Sequence, residues 1–224
     1  MRLIKFISFA EKKQLIHPSI SKIPQWWKDG EFELPDGGPG MKTCIPFMEV
    51  MNSGYVVNSP FDIYIGKTEE GNVSIKWNGP GERWSEFLQE RPKELGFKIP
   101  RPAGHLPNHF VWSSLWGWKT PKGYSTLVTH PFNRFDLPFT TLSAIIDSDV
   151  FNGNGNIPFF IKENFEGVIP EGTPLFQLFP YKRDKWKSWT DDSVRDNVQY
   201  NQLNELRQPG MSYKKRFWKK KVYE

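Results

Sequence analysis

The chain has 224 residues, 38% of them hydrophobic and 25% charged, which excludes a disordered polymer and suits one domain with its own core. Its 18 Phe, 10 Trp and 7 Tyr sit among 19 Pro and 18 Gly, a mixture that favours short strands and turns over long helices. The net charge of +5 lies wholly in residues 211–224, where six basic residues face one acid, Glu224, so the rest of the chain is neutral.

In chain order, residues 1–10 read as a first strand, because Lys5 and then Glu11-Lys12-Lys13 interrupt the apolar run before it reaches signal-peptide length. Residues 18–40 hold Pro18, Pro24, Pro35 and Pro39 with four glycines and are expected to be irregular. Within them, Trp26 and Trp27 follow Pro24 and are expected to plug the core beneath a long loop. Cys44 is the one cysteine, which excludes an internal disulfide and a multi-cysteine zinc site. In Cys44-Ile45-Pro46-Phe47 it is expected to be a small buried residue. Residues 43–65 read as strands. Phe61–Ile65 and Val73–Trp77 flank the turn Thr68-Glu69-Glu70-Gly71-Asn72, which predicts a hairpin. A short helix is expected over 82–90.

Residues 100–123 are rich in Pro and Trp. His105 and His109 are four apart, but Pro102 and Pro107 argue against the helix that would put them on one face, and no metal site is expected from them or from His130. Strands follow at Tyr124–Thr129, Thr140–Ile146, Ile157–Ile161 and Leu175–Phe179, the spacing of an antiparallel sandwich or barrel. The triplet Ala144-Ile145-Ile146 is expected to be buried, with Asp147 at the strand end. Beyond Pro180 the composition turns charged, and residues 190–206 predict a helix opening on Thr190-Asp191-Asp192. The domain layout expected is therefore 1–180 as one β-rich domain and 181–224 as a helical and basic extension. No run of 18 apolar residues exists, so no membrane span is expected.

Residues 120–180 carry three motifs in a telling order: Pro121-Lys122-Gly123-Tyr124, Ala144-Ile145-Ile146-Asp147-Ser148-Asp149, and Ile169-Pro170-Glu171-Gly172-Thr173-Pro174-Leu175-Phe176-Gln177-Leu178. The set resembles the core of the trimeric dUTPase and dCTP deaminase superfamily, and Ser53-Gly54-Tyr55 resembles its opening motif. The resemblance implies a dUTPase-like β-clip core within an all-β, mainly antiparallel fold, with long aromatic loops and a homotrimeric assembly. It also implies site roles. Asp147 matches the water-orienting aspartate. Arg134, Asp149, Phe151 and Gln177 are the matching candidates for substrate contact. Several parts depart from the pattern. Pro131-Phe132-Asn133-Arg134 lacks the phosphate-holding serine, and Val56 stands where the family has its metal-placing aspartate.

The chain as a whole also resembles an uncharacterised family of tailed bacteriophages, through Ile23-Pro24-Gln25-Trp26-Trp27, Pro131–Phe139 and Tyr181-Lys182-Arg183-Asp184. The function expected is that of a phage assembly, structural or binding protein without catalysis or cofactor, partnered by itself or by other phage proteins. Its expected place is the host cytoplasm or the virion, without secretion. The alternative is a divergent dUTPase-like hydrolase using Asp147 and Mg²⁺. A second alternative is nucleic-acid association through Lys214, Lys215, Arg216, Trp218, Lys219, Lys220 and Lys221, which interleave cations with an aromatic ring.

Overall fold

Alternating apolar and polar residues between Pro and Gly turns build strands that pair only as antiparallel neighbours. The computed structural model describes residues 2–8, 16–32, 35, 40–79, 85–113, 116–151, 155–190, 200–202, 204–205 and 213–224. In chain order the strands are β1 (Lys5–Ser8), β2 (Ile16–Pro18), β3 (Tyr55–Asn58), β4 (Ile63–Lys67), β5 (Val73–Trp77), β6 (Leu88–Glu90) and β7 (His105–Ser113). Then come β8 (Trp116–Lys119), β9 (Tyr124–Thr129), β10 (Phe139–Thr141), β11 (Ala144–Ile146), β12 (Asn156–Lys162), β13 (Gly167–Ile169) and β14 (Pro174–Lys182). The helices are short: α1 (Gln25–Asp29), α2 (Ile45–Asn52), α3 (Lys93–Gly96) and a single turn at Tyr213–Arg216. The fold is all-β and mainly antiparallel, as the strand spacing predicts.

Two sheets, ordered β11-β9-β14-β3-β2 and β10-β12-β7-β6, supply opposing walls of one apolar core. Val128, Phe176 and Leu178 come from the first, and Phe110, Trp112, Phe139 and Phe159 from the second. Trp112 and Phe159 stack with centroids 3.6 Å apart and planes 3° from parallel, while Phe139 meets Trp112 edge-on. The sheets β13-β4-β5 and β1-β8 flank this core and add Ile63, Ile65, Ile169 and Trp118. The hairpin β4–β5 forms in the register Ile63↔Trp77, with Gly71 at φ +80° supplying the left-handed residue its turn needs.

Several expectations change. Residues 45–52 form α2 rather than a strand, because Pro46 sits in the first helical turn, where a missing N–H costs nothing. Cys44 precedes that helix and is exposed. Leu88–Glu90 pairs as β6 with β7, and residues 80–84 of the helix expected there lie outside the described residues. The Pro- and Trp-rich stretch contributes β7 and β8, with Pro107 inside β7. The single strand expected over Thr140–Ile146 divides between sheets as β10 and β11. Ile145 on edge strand β11 is 64% exposed, so the triplet is not buried as a unit, although Asp147 does end the strand. Residues 18–32 are irregular except for one-turn helices. Trp27 of α1 is buried between Phe32 and Phe47 as a plug. The helix expected over 190–206 lies largely outside the described residues, of which 200–202 and 204–205 are helical. Among the described residues no helix is long and apolar enough to cross a membrane.

Candidate functional site

The strand β9 separates the sequence-predicted site residues into two groups. Pairing of β11 and β14 on either side of β9 places Asp147, Asp149 and Arg183 near its Tyr124 end. Gln177, opposite Thr129, and the loop containing Arg134 lie at its other end. Four residues of strand between them correspond to about 13 Å.

At the first end, the turn after β11 is held by a dense hydrogen-bond network. Ser125 donates to Asp147 Oδ1 at 2.6 Å, and the Gly123 N–H donates to Asp149 Oδ2 at 2.8 Å. Arg183, which follows β14, pairs through Nη1 with Asp147 at 3.0 Å and with Asp149 Oδ1 at 2.9 Å, and its Nη2 meets Asp149 Oδ2. Between the two acids Ser148 is fully buried, its hydroxyl bonded to those of Thr120 and Thr126. Arg183 and the Gly123 amide hold the Asp149 carboxyl down at about 2, and the Asp149 and Asp147 carboxylates in turn raise the Arg183 pKa. Asp147 is the more open of the two acids. Phe151 closes the turn through its N–H to the Asp147 carbonyl and is half exposed. Chemically, the turn carries two carboxylates against one guanidinium already bonded to both. It is built to hold its own shape.

At the second end, Arg134 forms a fork with Asp136, Nε and Nη2 lying 2.9 Å from Oδ1 and Oδ2. Trp26 donates to the same carboxylate, and Lys162 donates to the Phe135 carbonyl. Asn133, at φ +60°, turns the loop and leaves Phe135 at its exposed tip. Gln177 is buried on the sheet face covered by α2. Its Oε1 accepts the Phe132 N–H, and its Nε2 donates to the carbonyls of Val50 and Ser53. Every polar atom of that side chain thus ties loop, strand and helix together.

His105 and His109 are buried, and His130 is partly buried. His105 Nδ1 lies 3.0 Å from the Ala103 carbonyl, and its Nε2 lies 2.9 Å from the Thr140 hydroxyl. His130 Nδ1 accepts the Thr141 N–H, so its Nε2 is the nitrogen that donates to the Arg134 carbonyl. Burial pushes the pKa of His130 and of His109 below the ordinary value of 6.5, helped at His109 by Arg91. A base with a depressed folded pKa takes up protons more readily when unfolded, so stability is complete above pH 6.5 and is lost as pH falls below it. The melting temperature is expected to drop between pH 7 and 5. His130→Gln, which can both accept and donate in the same place, should flatten part of that slope. A melting curve indifferent to pH over this range would contradict the assignment.

The basic tail is docked. Trp218 donates its indole N–H to Glu49 of α2 at 3.0 Å, and Lys221 pairs with the same carboxylate at 2.8 Å. Tyr223 packs on Tyr55 and Phe179, and the Tyr55 hydroxyl donates to the Glu224 carbonyl. Arg216 pairs with Glu205. Lys214, Lys219 and Lys220 project to solvent. Sequence reading missed Arg183 and Glu49 as organising residues. The local traces of Arg183 were the charged run that opens at the end of β14 and the motif Tyr181-Lys182-Arg183-Asp184. Glu49 lay in a segment read as strand.

No family model matches the chain, and no curated protein matches it. Among solved structures it is similar to native EIAV dUTPase, at 11% identity and a TM-score of 0.33, over 63% of this chain and 87% of that one. So loose an overlap leaves the all-β assignment resting on the chain's own ladders.

Proposed function

We propose that the chain is a non-catalytic assembly or binding protein of a tailed bacteriophage. In this reading it acts in the host cytoplasm or virion as a homotrimer or with other phage proteins. Residues 1–180 serve as the body and 181–224 as an extension. One observation carries the reading. Directly after Arg183 the chain leaves regular secondary structure, and Trp186 and Trp189 there are 89% and 85% exposed. Large rings left in water at that level mark a contact surface, because each withholds most of its apolar area from burial. Ile145, Val150 and Phe151, around the turn that Arg183 clamps, are also largely exposed.

The charge at that turn argues the same way. A hydrolase centred on Asp147 needs cations free to meet a triphosphate. Arg183 is already shared between Asp147 and Asp149, and Arg134 is paired with Asp136 at the far end of β9. Light scattering at micromolar concentration should report a trimer, and the protein incubated with dUTP and Mg²⁺ should release no pyrophosphate at enzymatic rates. Pyrophosphate release that disappears in Asp147→Asn would overturn the proposal, and a monomer would overturn its homotrimeric form.

A further inference from the structure

Two lysines stand directly opposite one another on the small sheet at the side of the molecule. β1 and β8 pair in the register Lys5↔Lys119 and Phe6↔Trp118. Trp118 is buried and Phe6 packs against the core, which turns Lys5 and Lys119 to the outer face, where both are exposed. Like charges directly opposite on a sheet repel, so this pair weakens the ladder that carries it. The positive surface continues past the strands. Arg2 lies over the Tyr124 ring, 5.0 Å from its centroid, and Lys122 is exposed in the turn after β8. Because β1 and β8 run antiparallel, Arg2 and Lys122 leave the sheet at the same end.

Counter-charge is scarce on this face. Among the described residues, Arg2, Lys5, Lys119 and Lys122 have no salt bridge. The cleft beside them is lined by Arg2, Thr120, Pro121 and Lys221 and by no acid among the described residues. Glu224, whose carbonyl accepts the Tyr55 hydroxyl, is the acid at its edge, and the four cations outnumber it. Asp149 is taken by Arg183 and the Gly123 N–H, and Glu49 by Trp218 and Lys221. The chain outside the tail is neutral in sum, so these cations are a local concentration made by the fold. Tyr55, Tyr124 and Tyr223 are buried or half-buried here, which leaves no exposed ring for an unpaired base. Leu3 and Val222 are the exposed apolar side chains at the cleft, too little to anchor in a bilayer.

We infer that β1, β8 and the turn after β8 form a sequence-independent contact for the phosphate backbone of duplex DNA, with Arg2, Lys5, Lys119 and Lys122 as its cations. The contact is independent of the assembly surface at Trp186 and Trp189. Fluorescence anisotropy of a short labelled DNA duplex, titrated with the full-length protein, tests it. Four phosphate contacts give a log–log salt slope of about −3.5, or a loss of about a hundredfold in affinity between about 50 and 200 mM salt. Lys5→Gln with Lys119→Gln should bring the slope to about −2 and weaken binding about tenfold or more at the lower salt. Lys5→Arg with Lys119→Arg keeps the charge and should bind like the unmodified protein. Lys76→Gln with Lys93→Gln removes the same charge from β5 and α3 and should change nothing. The inference fails if the duplex shows no binding at about 50 mM salt up to about 100 μM protein, the weak end of non-specific affinity. It fails equally if the Lys5 and Lys119 glutamine variant binds undiminished, or if the β5 and α3 variant loses as much. Tighter binding to single-stranded DNA, or to vesicles of anionic lipid, would also overturn it.

Discussion

Replacing Trp186 and Trp189 together by alanine is expected to weaken self-association about a hundredfold or more while leaving the subunit folded. Both rings are at least 85% exposed in the isolated chain, so the subunit loses almost no internal packing when they are removed. Surface substitutions of this kind usually change stability by less than about 0.5 kcal/mol. At an interface the same rings behave differently. Truncating a tryptophan anchor commonly costs about 2 kcal/mol or more, and each 1.4 kcal/mol is about tenfold in affinity. Two anchors on one segment therefore account for at least two decades. Sedimentation velocity over a concentration series reads the effect directly. The expected record is a concentration-dependent assembly in the unmodified protein and a monomer at the same concentrations in the double variant, with matching melting curves for the dilute subunits. An unmodified protein that stays monomeric at every concentration, or a double variant that assembles equally well, would remove the ground for an assembly role.

Ending the chain at Pro209 is expected to lower the melting temperature by about 5–10 °C. A solvated basic tail would contribute almost nothing to stability. This tail instead places Trp218 and Tyr223 against the body, half-buried, and anchors them through Glu49. Partial burial of two large rings with one indole hydrogen bond amounts to about 2–3 kcal/mol, and each kcal/mol corresponds to about 2–4 °C in a domain of this size. Glu49→Gln should reproduce a fraction of the loss, since it removes the charge pairing with Lys221 and keeps an acceptor for Trp218. Calorimetric melting of the three proteins gives the ranking. If the truncated chain melts with the full-length one, the docking is of no energetic consequence and the tail is free for a polyanion. Binding to duplex DNA would then show a log–log salt slope no steeper than about −5, because six cations are the most it can offer.

Much of the architecture was legible because β periodicity is a local signal. Tyr124–Thr129 coincides with β9, and the Val73–Trp77 hairpin follows from alternation on both sides of a turn that demands glycine. Asp147 at a strand end follows from the same pattern. Local signals misled where a residue has two uses. Pro46 breaks a strand but also starts a helix, and only packing of α2 over Gln177 decides between them. Thr140–Ile146 has uniform strand propensity, yet the chain changes sheets within it. Leu142 donates to the Pro158 carbonyl on one side, and Ser143 bonds the Thr129 hydroxyl on the other.

The candidate site was legible only as a list of residue types. By itself the sequence determined the all-β class, the strand-end aspartate and the concentration of charge in the last residues, because each depends on neighbours a few positions away. Tertiary structure decided which of those residues meet. It joined Arg183 to Asp149 across 34 residues and Gln177 to α2 across 127, and it seated Trp218 on Glu49 across 169. It also put Arg134 and Asp147 at opposite ends of one strand. Contacts at such separations are set by sheet order and by closure of long loops around a shared core, and nothing in the local periodicity of a strand records which distant partner will lie beside it.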